Sequence, residues 1–307
     1  MIEAYGDGMM LALGGLAVGL GFGALAQRSR FCLRAATIEV SRGIFGHKLA
    51  IWLIAFAAAI AATQALVASG VLDITQARQL SAQGSLSGTI IGGLMFGVGM
   101  VLARGCASRL LVLSATGNLR ALVSGLILTL VAQASLRGVL SPAREWLAGL
   151  WTIEGGNARN LLTWFGADAR TGVMIGLVGL AGAFWLAYRN RVGGWTEVGA
   201  VGVGLMIAAG WAVTSVVSGV SFEPVAVKSI SFTGPSADTL MGLINAPSIP
   251  LGFDVGLIPG VFAGSFLAAL LFRDFKLEVY HGGQSMARCI TGGTLMGFGS
   301  MLAFGCA

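Results

Sequence analysis

Four cysteines carry the chemistry this sequence can offer: Cys32, Cys106, Cys289 and Cys306. No C-x-x-C pair occurs, so neither a zinc site nor a thioredoxin-like redox motif is indicated. His47 and His281 are the only imidazoles, a poor inventory for a metal centre, and no cofactor is expected. Three of the thiols share a frame. Residues 92–107 read GGLMFGVGMVLARGCA and residues 292–307 read GGTLMGFGSMLAFGCA, identical at nine of sixteen positions at an offset of 200. That is an internal repeat.

Two weaker copies follow the same spacing. In 17–32, Gly19 and Gly23 stand thirteen and nine residues before Cys32, as Gly93 and Gly97 stand before Cys106. In 199–211, Gly202, Gly204 and Gly210 match Gly97, Gly99 and Gly105, with Trp211 in the cysteine's place. Glycines at that spacing form a G-x-x-x-G face on which a second helix can approach closely. Gly105 and Gly305, each just before its cysteine, are expected to end a helix and leave backbone amides facing a cavity. Cys32, Cys106 and Cys306 then stand at helix breaks along one path. Cys289 lies outside the frame and reads as a small buried hydrophobe.

The elements that position these residues are membrane helices. In 307 residues, Asp, Glu, Lys and Arg make up 10% and apolar residues 56%; a soluble domain carries about 25% charged residues. A soluble enzyme, a disordered chain and a secreted disulfide scaffold are excluded. Uncharged windows recur at 8–27, 49–72, 86–103, 121–136, 171–188, 198–222, 255–272 and 289–307, each near the roughly 20 residues that span a bilayer core. Backbone amides in hydrocarbon must be paired within their own segment. The fold class is therefore all-α polytopic, with about eight or nine spans, some re-entrant or broken.

The whole chain, 1–307, reads as one membrane transport domain with half-repeats near 8–137 and 171–307. The four copies fall as two pairs, the first pair running inward and the second outward, the pattern of an inverted duplication. Basic residues cluster at Arg28 to Lys48, Arg104 to Arg120, Arg189/Arg191 and Arg273 to Arg288. The positive-inside rule then places these loops in the cytoplasm and the N-terminus outside. The net charge of +6 is scattered between apolar stretches, so no nucleic-acid partner is expected. Residues 137–170, with Trp146, Trp151 and Trp164, suit a helix lying in the membrane interface, and the proline-rich stretch 223–254 reads as an irregular loop.

Arg28-Ser29-Arg30-Phe31-Cys32, the segment GGLMFGVGMVLARGCASRLLVLSATGN and the closing GGTLMGFGSMLAFGCA resemble the YeeE/YedE sulphur-transport family of bacterial inner-membrane proteins. The resemblance implies uptake of thiosulfate, or of selenium compounds in some members, along an hourglass-shaped path lined by Cys32, Cys106 and Cys306. It also implies a small cytoplasmic sulfur-carrier partner of the TusA type. The family continues past its last G-C motif, whereas here the fourth copy stops at Cys306-Ala307, so the second half is expected to be truncated.

Thiosulfate is a dianion with one soft sulfur and three hard oxygens. Conduction needs several modest sites rather than one deep well. Neutral thiols, weak donors with polarizable sulfur, fit that need, whereas thiolates would repel the dianion. Arg28, Arg30, Arg34, Arg104 and Arg109 are placed to attract the anion at the mouths. The alternatives are a selenium-compound or soft-cation carrier using the same cysteines, a membrane thiol oxidoreductase, and a structural subunit. No Walker A, HExxH or G-x-S-x-G motif is present, and the chain is not expected to be an enzyme.

Overall fold

The computed structural model describes residues 6–73, 77, 83–155, 161–221, 224–245, 250–279 and 283–305. These residues are overwhelmingly helical. The helices are α1 (Asp7–Ser29), α2 (Leu33–Ser41), α3 (His47–Ala68), α4 (Leu86–Leu102), α5 (Ala107–Ala115), α6 (Leu119–Arg137), α7 (Ser141–Gly149), α8 (Leu161–Trp164), α9 (Ala169–Arg189), α10 (Gly194–Val220), α11 (Thr233–Asn245), α12 (Phe253–Leu271) and α13 (Gly283–Leu302). Two short strands, Gly84–Ser85 and Thr152–Ile153, pair antiparallel beside α7. Seven helical stretches are long and apolar enough to cross a membrane, one short of the lower bound expected. The eighth window lies in α13, where Gln284, Arg288 and several glycines dilute the hydropathy.

Three further expectations need correcting. Residues 223–254 contain α11, which Pro235 helps to start because a proline is tolerated in the first turn. The third copy, 199–211, is unbroken: α10 runs straight through Ala209 and Trp211. In α4, a Cβ at Gly93 or Gly97 would meet nothing within 4 Å, so that pair is not the contact face. The stretch 137–170 does supply a short surface helix, α7, with Trp146, Trp151 and Trp164 all exposed. Ser85 and Ser87 hydroxyls donate to the Ala148 and Leu147 carbonyls and tie its end to the start of α4.

Close backbone approach is the organising contact. Gly15, Gly19 and Gly23 on α1 lie against Gly256, Gly260 and Gly264 on α12, the two helices running parallel. A Cβ at Gly23 would sit 2.2 Å from the Val261 carbonyl oxygen, and one at Gly264 would sit 2.2 Å from that of Leu20. The Ser265 hydroxyl bridges the seam to Gly23 O at 3.1 Å. A second seam joins the two strong repeat copies, α4 and α13, antiparallel. A Cβ at Gly92 would meet Gly299 O at 2.4 Å and one at Gly99 would meet Gly292 O at 2.7 Å; the reciprocal distances are 2.6 Å and 2.8 Å. Gly293 and Gly297 face α6 at Ser124 and Leu128. In membranes such small-residue seams replace the hydrophobic effect as the source of helix association.

The helix ends sort into two faces. On one, Arg30 pairs with Asp274 at 3.9 Å, Arg120 with Glu278 at 2.9 Å, and Asn190 Nδ2 donates to Phe45 O at 3.0 Å. This face gathers Arg28, Arg42, Lys48, Arg189, Arg191, Arg273 and Lys276. On the other, Ser221 bonds Asp7, Ser215 donates to Val71 O at 2.7 Å, and Lys228 pairs with Asp254.

Gly264→Leu is expected to separate α1 from α12 and cost more than about 3 kcal/mol, since the obstacle is backbone. Gly97→Ala is expected to leave stability unchanged or raise it by about 0.5 kcal/mol. Thermal unfolding in detergent compares the two.

Candidate functional site

Each described cysteine motif breaks its helix in the same way. The residue two before the cysteine adopts the left-handed conformation: Arg30 at φ 52°, Arg104 at φ 61° and Phe304 at φ 63°. A left-handed residue at a helix C-terminus turns the chain out of the helix. The break therefore sits on Arg104 and Phe304, not on the following Gly105 and Gly305, and a Cβ at Gly105 would meet only the flexible Leu110 side chain, at 3.3 Å and beyond, and Arg109 Cβ at 3.7 Å. After the Arg30 and Arg104 turns the backbone is extended and a new helix starts. Cys32 is the N-cap of α2 and Cys106 the N-cap of α5.

Those two breaks face each other. The Cys106 sulfur lies near the backbone amides of Leu33, the first residue of α2, and of Arg109 in its own helix, without a cap hydrogen bond to α5. It also lies 3.3 Å from the Ser108 hydroxyl. Cys106 is buried and Cys32 partly buried, and both are free thiols. Each caps the positive end of a half-helix, where unpaired N–H groups converge.

Arg109, one turn into α5, borders Cys32, Cys106 and Arg30. Its Nη1 is buried without a hydrogen-bond partner, and it is in no ion pair among the described residues. Arg109 also lines a cavity of about 250 Å³ with Gln27, Arg30, Asp274, Lys276 and Glu278. Gln27, which the sequence reading missed, is buried with an unpartnered side-chain oxygen. Its signal was one polar residue at the end of an apolar run, five before Cys32.

The remaining expected residues are dispersed. Arg30 is exposed, pairs with Asp274 and lines this cavity and a neighbouring one of about 440 Å³ with Arg28, His47 and Lys48. Arg104 is exposed and contributes the backbone turn. Arg34 Nε is buried without a partner. Gly305 lines a cavity of about 550 Å³ on the other face, and Cys306 lies outside the described residues. Cys289 is buried in α13. Among the described residues no cluster of His, Cys, Asp and Glu could hold a metal.

Membrane-competent helices, two of them broken at facing thiols beside a lone guanidinium, define a multi-pass membrane protein with an anion-compatible interior. Comparison with known proteins agrees. The profile of the family described as "Sulphur transport" matches residues 28–307, and the chain belongs to that family, the YeeE/YedE group. It is similar to the thiosulfate transporter TsuA of Escherichia coli K12, 26% identical over 97% of this chain and 85% of the relative. It is equally similar to the thiosulfate transporter TsuA of Spirochaeta thermophila, 26% identical over 95% and 88% of the two chains.

Arg104 is held in an unfavourable conformation while its side chain is exposed. Arg104→Gly is expected to raise stability and Arg104→Val to lower it, each by about 1 kcal/mol, read as opposite shifts in unfolding temperature in detergent.

Proposed function

We propose that this chain takes thiosulfate, or a closely related inorganic sulfur anion, into the cytoplasm along a path of neutral thiols at Cys32, Cys106 and Cys306. One observation carries the reading: the thiols of two broken helices face each other at half-helix N-termini, beside Arg109, a guanidinium with no carboxylate partner. An unneutralised cation at that depth is costly, and a transient anion offsets the cost. The N-termini and Arg109 attract the oxygens, while the thiols offer weak S–H donors and a polarizable surface to the terminal sulfur. Each contact is modest, so the anion is not trapped.

Arg30 guides the anion at the basic face. Arg104 with Gly105, and Phe304 with Gly305, shape the turns that present Cys106 and Cys306. The reciprocal glycine contacts of α4 and α13 support an inverted arrangement of two halves, 8–137 and 171–307, within a single transport domain. The gathering of arginines and lysines on one face supports placing that face in the cytoplasm, with the protein in a bacterial inner membrane. Sulfur delivered there suits a cytoplasmic carrier protein of the TusA type. The role is transport, not catalysis. The names of the two relatives favour thiosulfate over selenium compounds.

The test is uptake of radiolabelled thiosulfate by sulfur-starved cells lacking their own transporters. Wild type is expected to take it up. Cys106→Ala is expected to lose uptake while its amount in the membrane is unchanged. Full uptake by that variant would overturn the thiol path, and absence of uptake by the wild type would overturn the substrate.

A further inference from the structure

We propose that Lys228 is an anion-binding site on the face opposite the basic loops, and that Asp254 is the internal anion its ligand displaces. This rests on the transport reading and gives the path a second, separate charged site. The cavity there, about 550 Å³, is lined by Arg137, Arg144, Lys228, Asp238 and Asp254, and also by Phe304 and Gly305 just ahead of Cys306. It thus joins a charged mouth to the third cysteine motif.

The cations in it are not equivalent. Arg144 is committed elsewhere: Nε donates to Ser135 O at 2.8 Å and Nη2 pairs with Glu145 at 3.1 Å. Lys228 has its backbone fixed, and its side chain is 37% exposed. Its N–H donates to Thr214 Oγ1 at 3.2 Å, and its carbonyl accepts from the same hydroxyl at 2.6 Å; Thr214 is wholly buried in α10. The Lys228 ammonium meets one oxygen of Asp254.

Asp254 is arranged to stay in place when the lysine leaves. It sits in the first turn of α12, where the helix end favours a carboxylate. Its second oxygen is buried without a hydrogen-bond partner, so the ammonium is its one good contact. An arriving anion offers the same ammonium charge-assisted hydrogen bonds of equal kind. Asp254 then acts as a stand-in for substrate, keeping the lysine neutralised between turnovers and setting the affinity the anion must exceed.

The two partners should therefore respond in opposite directions. Thiosulfate uptake is measured against concentration in sulfur-starved cells, normalised to protein in the membrane. Lys228→Gln is expected to raise KM about tenfold or more, the worth of one charge-assisted hydrogen bond. Asp254→Asn is expected to lower KM several-fold by removing the competitor. A purely structural ion pair gives a different pattern: both variants are impaired alike, and the swapped pair Lys228→Asp with Asp254→Lys restores uptake. That pattern, with the wild type active, overturns this proposal alone. No uptake by the wild type overturns the transport reading and this site with it.

Discussion

Backbone amides inside a membrane have no water to turn to, and the rest of this structure follows from how two broken helices live with that. Each break ends one helix on a left-handed residue and, where described, starts another on a cysteine. The first amides of α2 and α5 are left without intrahelical partners. An ordinary N-cap would satisfy them with Ser, Asn or Asp, as Ser85 does for α4 and Asn118 for α6. Sulfur is a far weaker acceptor. At the α5 break, Cys106 makes no cap hydrogen bond, and the Leu33 and Arg109 amides lie near its sulfur. Such an arrangement is tolerable only in an enclosed site, and it leaves donors that an oxyanion can engage better than the thiol does.

Enclosure is the work of the glycine seams. The hydrophobic effect cannot press apolar helices together in lipid, so contact area has to come from backbone proximity. The α1–α12 seam brings the helix ahead of the Cys32 break to within direct contact of its neighbour, and the α4–α13 seam does the same for the helices ahead of Cys106 and Cys306. Rigid seams on both sides fix where the turns point. Charge then falls mostly near helix ends, and the buried exceptions are informative. Arg34 Nε and Arg109 Nη1 are buried where neither seam nor an ion pair among the described residues explains them.

The sequence made much of this legible because the thiols mark the repeat and the repeat marks the breaks. Spacing from the cysteines located all three described turns, and composition located the spans. The rest was hidden for identifiable reasons. Glycine is ambiguous between packing and turning: Gly105 looked like the hinge, yet the hinge is Arg104, a residue type that seldom adopts φ of 61°. Gly93 and Gly97 looked like the contact face, but Gly92 and Gly99, one and two positions away, hold that role. The helix α11 was masked by Pro235, which reads as a breaker until its place in a first turn is known. Trp211 stands where a cysteine would, and without the left-handed residue two before it α10 simply continues. Gln27 and the Lys228–Asp254 pair come together only through contacts between distant segments, which no window of sequence contains.

The seam between the two strong copies also accounts for part of their identity. Gly92 meets Gly299, and Gly99 meets Gly292; adding 200 to the first of each pair and subtracting it from the second exchanges one contact for the other. A helix packed antiparallel on its own copy makes each such contact twice, as in an isologous interface. A side chain added at either position would collide with backbone in both halves of the seam's pattern. Glycine at 92 and 299 is thus one geometric requirement, and glycine at 99 and 292 is the same requirement reflected. The seam that makes the repeat visible in the sequence also sets the two turns at its opposite ends, Ala103 beside Gly292 and Leu302 beside Gly88.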